Sequence, residues 1–275
     1  MNTQPGNFHF SHAHLAGVGA FVLAIPLSFF DVRFSIVPLM LFLALCFVAP
    51  FLPASSFFLP TINRGKSGKN AVAITFDDGP DPRSTPELLS LLSKYDVRVT
   101  FFVTGEKASA HPELIKEILR YGHSLGNHSY SHDNLIMFKS TKALTKEIES
   151  AQDTFRKFGV TPFVFRPPVG ITNPRLWRVL QNAGMYNLNF SCRAVDGGNR
   201  WIKDLSKRIL KRIRPDDIIA LHDKCPRDNA RLSYWLKEVE AILSGLDQRG
   251  IAIYPLSELI GRSVMSIASE NADYL

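Results

Sequence analysis

Two adjacent carboxylates, Asp77 and Asp78, follow a short apolar run that is rich in β-branched and aromatic residues. Neighbouring side chains on an extended backbone point to opposite faces, so these two carboxylates cannot easily share one role. One of them can bind a metal ion while the other faces a substrate. A capped turn is the structural alternative, because Gly79 and Pro80 follow directly and Asp, Gly and Pro are common in turns.

Two histidines four residues apart, His128 and His132, supply a second group of ligands. On a helical turn, side chains at this spacing project from the same face, and two imidazoles can then chelate a divalent ion. Two histidines and one Asp leave coordination positions free for water and substrate, as a catalytic metal site requires. The alternative is two unconnected histidines on a solvated turn.

Two further segments carry groups suited to proton transfer and to charge stabilisation. His222 ends an apolar run and could act as a general acid or base, although a lone histidine at a strand end is more often only hydrogen-bonded. Arg166 precedes two prolines, which stiffen the turn and lack amide donors. The next free amide, that of Val169, is therefore expected to be a fixed hydrogen-bond donor.

The elements that must position these residues alternate between short apolar runs and longer amphipathic stretches. This alternation predicts a parallel sheet wrapped by helices. Seven strand–helix units favour a closed or nearly closed barrel, in which catalytic groups gather at the carboxyl ends of the strands. The predicted strands are 71–76, 99–103, 124–127, 163–166, 186–190, 217–221 and 251–254. The predicted helices are 86–95, 111–121, 142–158, 174–183, 203–213 and 231–249.

The N-terminal region differs in composition from the rest of the chain. Asp31 and Arg33 are the only charged residues between positions 15 and 59. Two apolar helices are therefore predicted, at about 15–30 and 34–53. A spanning helix needs about 20 apolar residues, so the second stretch qualifies and the first is marginal. A cleaved signal peptide is disfavoured because no Lys or Arg precedes the first stretch, and two buried core helices are the structural alternative.

We expect three regions: a membrane anchor over 1–68, a catalytic domain over 69–260 and a tail over 261–275. The two stretches are expected to form either a helical hairpin or a single span with a shallow interfacial helix in the bacterial inner membrane. The positive-inside rule favours the hairpin, with the catalytic domain in the cytoplasm, because Arg64, Lys66 and Lys69 follow the second apolar stretch. The net charge of +7 suits an anionic membrane surface or an acidic glycan. No motif for nucleic-acid recognition is present. Three cysteines without CxxC spacing indicate neither a disulfide framework nor a zinc knuckle.

Taken in order, the segments TFDDGP, HSYSH, RPP and LHD resemble the motifs of the NodB-type polysaccharide deacetylases, carbohydrate esterase family 4. The resemblance covers residues 69–260 and implies a distorted (β/α)7 barrel. The fold class expected for the whole chain is therefore α/β, with this barrel preceded by an N-terminal transmembrane helical hairpin.

The resemblance also implies a role for each motif residue. Asp77 matches the catalytic base, and Arg166 matches the residue that pairs with this base and orients it. His222 matches the general acid, and Asp196 matches the carboxylate that tunes this histidine. The ligands of a divalent metal, usually zinc, are matched by Asp78, His128 and His132. The oxyanion and substrate positions are matched by Pro168, Val169 and Leu221, the last of which lines the acetyl pocket in the family.

The fourth motif departs from the family pattern. The family often has Asp where Arg193 stands and Trp where Gly197 stands, and Val169 replaces a usual aromatic residue. These aromatic residues ordinarily line the sugar groove. A cleft for a long polymer is therefore not carried over to this chain.

The function expected is a metal-dependent hydrolase that removes N-acetyl groups from amino sugars of a cell-envelope polysaccharide or glycan. A deformylase or deacetylase of a lipid-linked sugar is the nearest alternative, and ester deacetylation is open to the same groups. An iron oxygenase would use the two histidines and the carboxylate but would leave Asp77 and His222 without a function. A membrane-tethered glycan-binding protein without catalysis is the last alternative. The expected partners are a carbohydrate substrate and membrane lipid.

Overall fold

The computed structural model describes residues 10–193, 195–226 and 228–268. Its helices are α1 (His12–Phe30), α2 (Val32–Val48), α3 (Thr85–Lys94), α4 (Gly105–Ala110), α5 (Pro112–Arg120), α6 (Thr141–Arg156), α7 (Leu176–Asn182), α8 (Leu205–Leu210), α9 (Asn229–Asp247) and α10 (Leu256–Ile260). Its strands are β1 (Thr61–Ile62), β2 (Ala71–Gly79), β3 (Thr100–Val103), β4 (Ser124–Asn127), β5 (Val160–Pro162), β6 (Val164–Phe165), β7 (Tyr186–Leu188), β8 (Cys192–Arg193), β9 (Ile218–His222), β10 (Ala252–Ile253) and β11 (Met265–Ile267).

One parallel sheet organises the chain after the two N-terminal helices. Its strands follow the order β1-β7-β6-β4-β3-β2-β9-β8, and β10 pairs with β2. Within the described residues its two end strands, β1 and β8, do not pair with each other, so the sheet is a curled half-barrel rather than a closed one. The α/β class predicted from the alternation of strands and helices is confirmed.

Strand β2 shows how the two faces of the sheet divide. Phe76 packs outward against Phe101 and against Trp235 of α9, in the core between sheet and helices. The neighbouring residues Thr75 and Asp77 face the opposite side, where polar groups collect. Fully burying a side chain such as Phe76 stabilises the fold by about 1.5–3 kcal/mol. This outward packing therefore fixes which residues of β2 face the interior of the half-barrel.

The structure contains elements that the sequence pattern did not predict. Strand β1 lies before residue 69 and pairs with β7, and Arg64 forms an ion pair with the buried Asp217 at 2.6 Å. Residues 261–275 were predicted as a tail, but β11 pairs antiparallel with β5 and Val264 is buried. The tail prediction is therefore wrong for this part, because three residues are too short to show a period; residues 269–275 lie outside the described residues.

Helices α1 and α2 form a helical hairpin, and Asp31 is the single residue between them. The backbone amide of Asp31 donates to the carbonyl of Leu27 at the end of α1, and its carboxylate accepts from the amide of Arg33 at the start of α2. Gly17 allows close contact, since a Cβ there would lie 3.1 Å from the Phe42 ring.

Most of the hairpin's side chains are exposed, and Phe29 and Phe30 are each 85% exposed. Both segments, His12–Phe30 and Val32–Phe51, are long and apolar enough to cross a membrane. A signal sequence near the N-terminus meets the same criterion, so the membrane anchor stays a prediction.

Candidate active site

The polar residues singled out from the sequence gather at the carboxyl edge of the sheet. Asp77 and Asp78 lie at the end of β2, His128 follows β4, and Arg166 follows β6. The register of β2 against β9 places Asp77 directly opposite His222. Parallel pairing brings these residues together because the carboxyl ends of all the strands meet at one edge.

Arg166 and Asp77 form a buried ion pair. The Nη1 group of Arg166 donates to Asp77 Oδ1 at 2.6 Å and to Thr75 Oγ1 at 2.7 Å, and Nη2 donates to the carbonyl of Asn189 at 3.0 Å. The guanidinium also lies over the Phe102 ring, 3.9 Å from its centroid. Burial lowers the pKa of Arg166, which the Asp77 carboxylate opposes, and an arginine stays charged in any case. Asp77 is thus held as an oriented carboxylate.

The backbone separates Asp78 from Asp77. Asp78 has a φ of 70°, in the left-handed region, and its carbonyl accepts from Lys107 Nζ at 2.5 Å. Gly79 follows, and a Cβ there would lie only 2.6 Å from Asp223 Oδ2. This close approach requires glycine. The adjacent carboxylates consequently point to different places, as the sequence predicted.

Asp78, His128 and His132 form a group in which one ligand atom from each lies within 4.8 Å of the others. Asp78 Oδ1 is 2.9 Å from His132 Nε2 and 3.4 Å from His128 Nε2. Burial would raise the pKa of Asp78, but hydrogen bonds and charge from the two histidines outweigh it and hold this pKa far below its usual range.

The tautomer of His128 shows that these residues fit a cation. His128 Nδ1 is 2.7 Å from the carbonyl of Arg166, which can only accept, so Nδ1 carries the hydrogen. In the neutral ring Nε2 then bears a lone pair that faces the Asp78 carboxylate. Two electron pairs face each other favourably only when a cation or proton lies between them. The donor set of two imidazoles and one carboxylate suits zinc and similar divalent ions.

The two histidines do not lie on a helical turn, so this part of the sequence prediction is wrong. Ser129 and His132 have left-handed φ values of 66° and 55°. Asn127 Oδ1 accepts from the Ser129 amide, and Ser129 Oγ accepts from the His132 amide. Glu147 of α6 accepts from the amides of residues 130 and 131. These hydrogen bonds between distant segments impose an irregular turn that a spacing rule does not anticipate.

His222 and Asp196 form a second pair at the same edge. His222 Nδ1 lies 2.9 Å from the Asp196 carboxylate, and because a carboxylate only accepts, Nδ1 is the donor. Burial would lower the pKa of His222, but the hydrogen bond and the charge of Asp196 raise it to about 9. The imidazolium therefore persists at neutral pH and can donate a proton from Nε2.

Val169 has an unusual backbone conformation in the turn Pro168–Gly170. Its φ and ψ are 55° and 7°, and its side chain is 48% exposed. A β-branched residue in this region is a strained outlier, and such outliers concentrate at functional sites. Pro168 is buried beside it.

Leu221 is not brought to the site. It packs against the outer face of the sheet with Phe76 and is 1% exposed, because alternation along β9 sends it to the opposite face from His222. The implied position of Leu221 in an acetyl pocket is therefore wrong for this chain.

Several residues that support the site were not identified from the sequence. Asn199 Nδ2 donates to the carbonyls of His222 and Lys224, at 2.8 Å each, and joins the loop after β8 to the end of β9. The buried Asp223 accepts from the hydroxyls of Ser84 and Thr85, and burial raises its pKa to about 6. Asp223 belongs to the LHD segment, but the sequence assigned it no role.

The loop after β8 also replaces some of the aromatic surface that the motif lacks. A Cβ on Gly197 would lie 2.9 Å from the indole ring of Trp201, so this ring covers the glycine. Trp201 is 64% exposed. Arg193 lies over the Phe190 ring, 5.0 Å from its centroid.

Comparisons with known proteins agree with this geometry. The family described as Polysaccharide deacetylase matches residues 64–188. A peptidoglycan-N-acetylglucosamine deacetylase of Bacillus cereus is 32% identical over 70% of this chain and 90% of its own length. A chitooligosaccharide deacetylase of Azorhizobium caulinodans is 31% identical over 68% of this chain and 93% of its own. The crystal structure of the peptidoglycan N-acetylglucosamine deacetylase Bc1960 aligns with a TM-score of 0.68 and 26% identity, over 74% of this chain and 94% of that one.

Proposed function

The chain belongs to the polysaccharide deacetylase family, carbohydrate esterase family 4, and from this premise we propose that it hydrolyses the N-acetyl amide of N-acetylglucosamine units in a cell-envelope glycan. The relatives named above act on peptidoglycan or chitooligosaccharides, and both substrates contain this amide. The single observation that carries the proposal is the facing of Asp77 and His222 across adjacent strands, each held by its own partner.

We propose that Asp78, His128 and His132 hold a divalent ion, with zinc as the first candidate. When bound, such an ion acts as a Lewis acid toward water and the acyl oxygen. His128 is prepared for it because the carbonyl of Arg166 fixes its tautomer. Glu147 prepares the turn that carries His132 by accepting two of its amides.

The two ion pairs, Asp77 with Arg166 and His222 with Asp196, define the two proton transfers. Asp77, held by Arg166, takes a proton from the attacking water. His222, kept protonated by Asp196, donates a proton to the departing amine. Water, base and acid together convert the amide into a free amino sugar and acetate.

Val169 is proposed to stabilise the oxyanion through its backbone amide. Its left-handed conformation turns the peptide between two buried residues, Pro168 and Gly170. Removing one oxyanion donor typically costs about 3–4 kcal/mol of transition-state stabilisation.

The direct test is acetate release from N-acetylglucosamine oligomers by the full chain, purified with its helices in detergent and assayed with and without added zinc. The wild type is expected to release acetate, and Asp77→Asn and His222→Ala are expected to lose at least about 100-fold in turnover. Glu149→Gln is a control, since Glu149 is exposed on α6. Binding of the oligomers with no acetate release by the wild type would favour a non-catalytic glycan-binding protein.

A lipid-linked acylated amino sugar is a second candidate substrate. It is favoured by a specific contact, since the segment that follows α2 is hydrogen-bonded to loops at the site. On this proposal the helices form an anchor over 1–68 in the bacterial inner membrane, and 69–260 form the catalytic domain. Release of acetate or formate from a polyprenyl-phosphate-linked sugar, but not from free oligomers, would assign this substrate.

A further inference from the structure

The end of the helical hairpin is attached to the rim of the active site. The carbonyl of Pro50 accepts from the Thr172 amide at 3.1 Å, and the carbonyl of Pro53 accepts from Asn189 Nδ2 at 2.8 Å. Pro53 also packs on Gly170, where a Cβ would lie 3.3 Å from its Cγ. These partners follow β6 and β7 at the carboxyl edge. The apolar hairpin therefore leaves the catalytic part of the chain from the same edge that carries the site.

The linker continues this attachment to the loop after β4. Leu59 is 1% exposed and packs with Ile136 and Met137 in a buried cluster. The residues that flank this pair, Leu135 and Phe138, point outward and are 62% and 60% exposed. The inner side of this turn thus holds the linker, while its outer side presents apolar side chains to the surface.

Exposed apolar side chains concentrate around the site. Among the described residues after Pro60, seven large hydrophobic side chains are exposed, and all but Tyr121 and Tyr234 lie on loops that follow β4, β6 and β8. We name these residues the apolar rim: Leu135, Phe138, Val169, Val195 and Trp201.

A cationic cavity of about 480 Å³ adjoins the rim at Trp201. Lys203, Lys207 and Lys211 line it and are exposed, and Asp204 is its one acidic lining residue. Arg208, which also lines it, donates to the carbonyls of residues 195 and 201 and so holds the loop that carries the rim. Lysines beside an indole suit the phosphates of a lipid surface, where Trp is enriched.

The aliphatic members of the rim decide between a lipid and a glycan as the occupant. Sugars pack against flat aromatic faces, and the ring of Trp201 would be sufficient for such a contact. The aliphatic rim residues, Leu135, Val169 and Val195, offer no such face. Their exposed side chains would therefore not contribute to the binding of a free glycan. The boundary between the acyl chains and the headgroups of a bilayer accommodates aliphatic, indole and lysine side chains together.

We propose that the apolar rim rests on an anionic bilayer surface, with the site mouth opening at the lipid–water boundary. The proposal rests on the proposed function, because the face that docks is the face that would carry the chemistry. It deepens that function by selecting substrates presented in the plane of the membrane, such as an acylated amino sugar on a lipid phosphate. The hairpin supplies the tether, and the rim sets the orientation.

The test uses Trp201 as a depth probe in the full chain, reconstituted into nanodiscs of phosphatidylcholine and phosphatidylglycerol. The chain has three tryptophans, and Trp235 is fully buried in the core. The emission that Trp201→Phe removes is therefore that of Trp201. We expect this difference emission to fall at least twofold when the acyl chains are brominated, because bromine quenches only on contact. Equal difference emission in brominated and unmodified lipid would overturn the proposal.

A paired charge variant keeps the test independent of the Trp201 substitution. Lys203→Gln with Lys207→Gln is expected to reduce the quenching and its dependence on phosphatidylglycerol. The matched control is Lys116→Gln with Arg120→Gln on α5, which are also exposed but lie toward the amino edge. An equal effect of both pairs would refute the charge contribution.

Acetate release from soluble N-acetylglucosamine oligomers is measured in the same nanodiscs. Release without quenching would overturn the membrane-facing rim and leave the proposed function standing. Quenching without release from any substrate would support the rim and contradict the proposed function.

Discussion

Replacing Asp196 with Asn tests whether the carboxylate keeps His222 in its acid form. The two side chains share a hydrogen bond of 2.9 Å, and Asp196 is 2% exposed. Asn has nearly the same shape and can still accept from Nδ1, but it carries no charge. The substitution therefore removes the electrostatic contribution while it leaves the packing in place.

The size of the effect follows from the pKa of His222, which is about 9 in the wild type. Burial lowers this pKa, and without Asp196 only the charges of Asp78 and Asp77 would oppose it, so we expect the pKa to fall to about 6.5, the ordinary value. At pH 8 the protonated fraction would change from about nine-tenths to about 3%, a loss of ~30-fold in the general acid. Near pH 6 the loss would shrink to less than about twofold.

The assay is the pH dependence of kcat/KM for acetate release, from about pH 5.5 to 10, with both proteins loaded with the same metal. A bound cation lowers the pKa of His222 in both proteins, so the informative quantity is the shift between them. We expect the alkaline limb of Asp196→Asn to lie at lower pH than that of the wild type by roughly two pH units. Metal content and thermal unfolding of both proteins serve as controls.

Two results would refute this reasoning. One is an alkaline limb that stays at the same pH in the variant, since His222 would then not owe its charge state to Asp196. The other is an activity loss of the same size at every pH, which would indicate a displaced imidazole rather than a changed pKa.

Three further predictions test the rest of the site. Asp77→Asn is expected to lower kcat by about 100-fold or more at unchanged metal content, and wild-type turnover would rule out Asp77 as the base. Dialysis against a chelator is expected to abolish acetate release, and zinc should restore it in the wild type but not in Asp78→Ala; full activity of the chelated, metal-free wild type would contradict a metal site. Glu147→Gln is expected to weaken zinc binding about 10–100-fold in competition titrations, because the turn that carries His132 loses its charged acceptor. The control Glu149→Gln should leave the zinc affinity unchanged. Equal affinities of the two variants would show that Glu147 does not support the site.

The local sequence pattern was sufficient to predict most helices and strands of the catalytic part. The apolar run that became β2 and the amphipathic stretch that became α6 were both predicted, because burial of one face imposes a period on a long enough segment. Strands β1, β5, β8 and β11 were missed. Each has only two or three residues, too few to show a period, and each forms because a neighbouring strand offers hydrogen bonds.

The residues of the candidate site were predicted by type, but their geometry was not. The two histidines were expected on a helical turn, and the structure instead places them on a turn held by Asn127 and Glu147. Leu221 was assigned to a pocket, although the pleat of β9 sends it into the core. Hydrogen bonds from Asn199 to the end of β9 had no sequence signal, because Asn is common in loops and its partners are distant in the chain.

The sequence by itself determined the alternation of elements, the apolar hairpin and the set of groups that can perform amide hydrolysis, because these depend on residue type and short-range spacing. Only the tertiary structure decided which groups meet. Parallel register sets Asp77 beside His222. Burial lowers the pKa of this imidazole, but the hydrogen bond and the charge of Asp196 raise it to about 9. The attachment of Pro53 to Asn189, which directs the hairpin to the site's own edge, joins residues far apart in the chain. Such contacts are set by the packing of the whole sheet, and no local pattern encodes them.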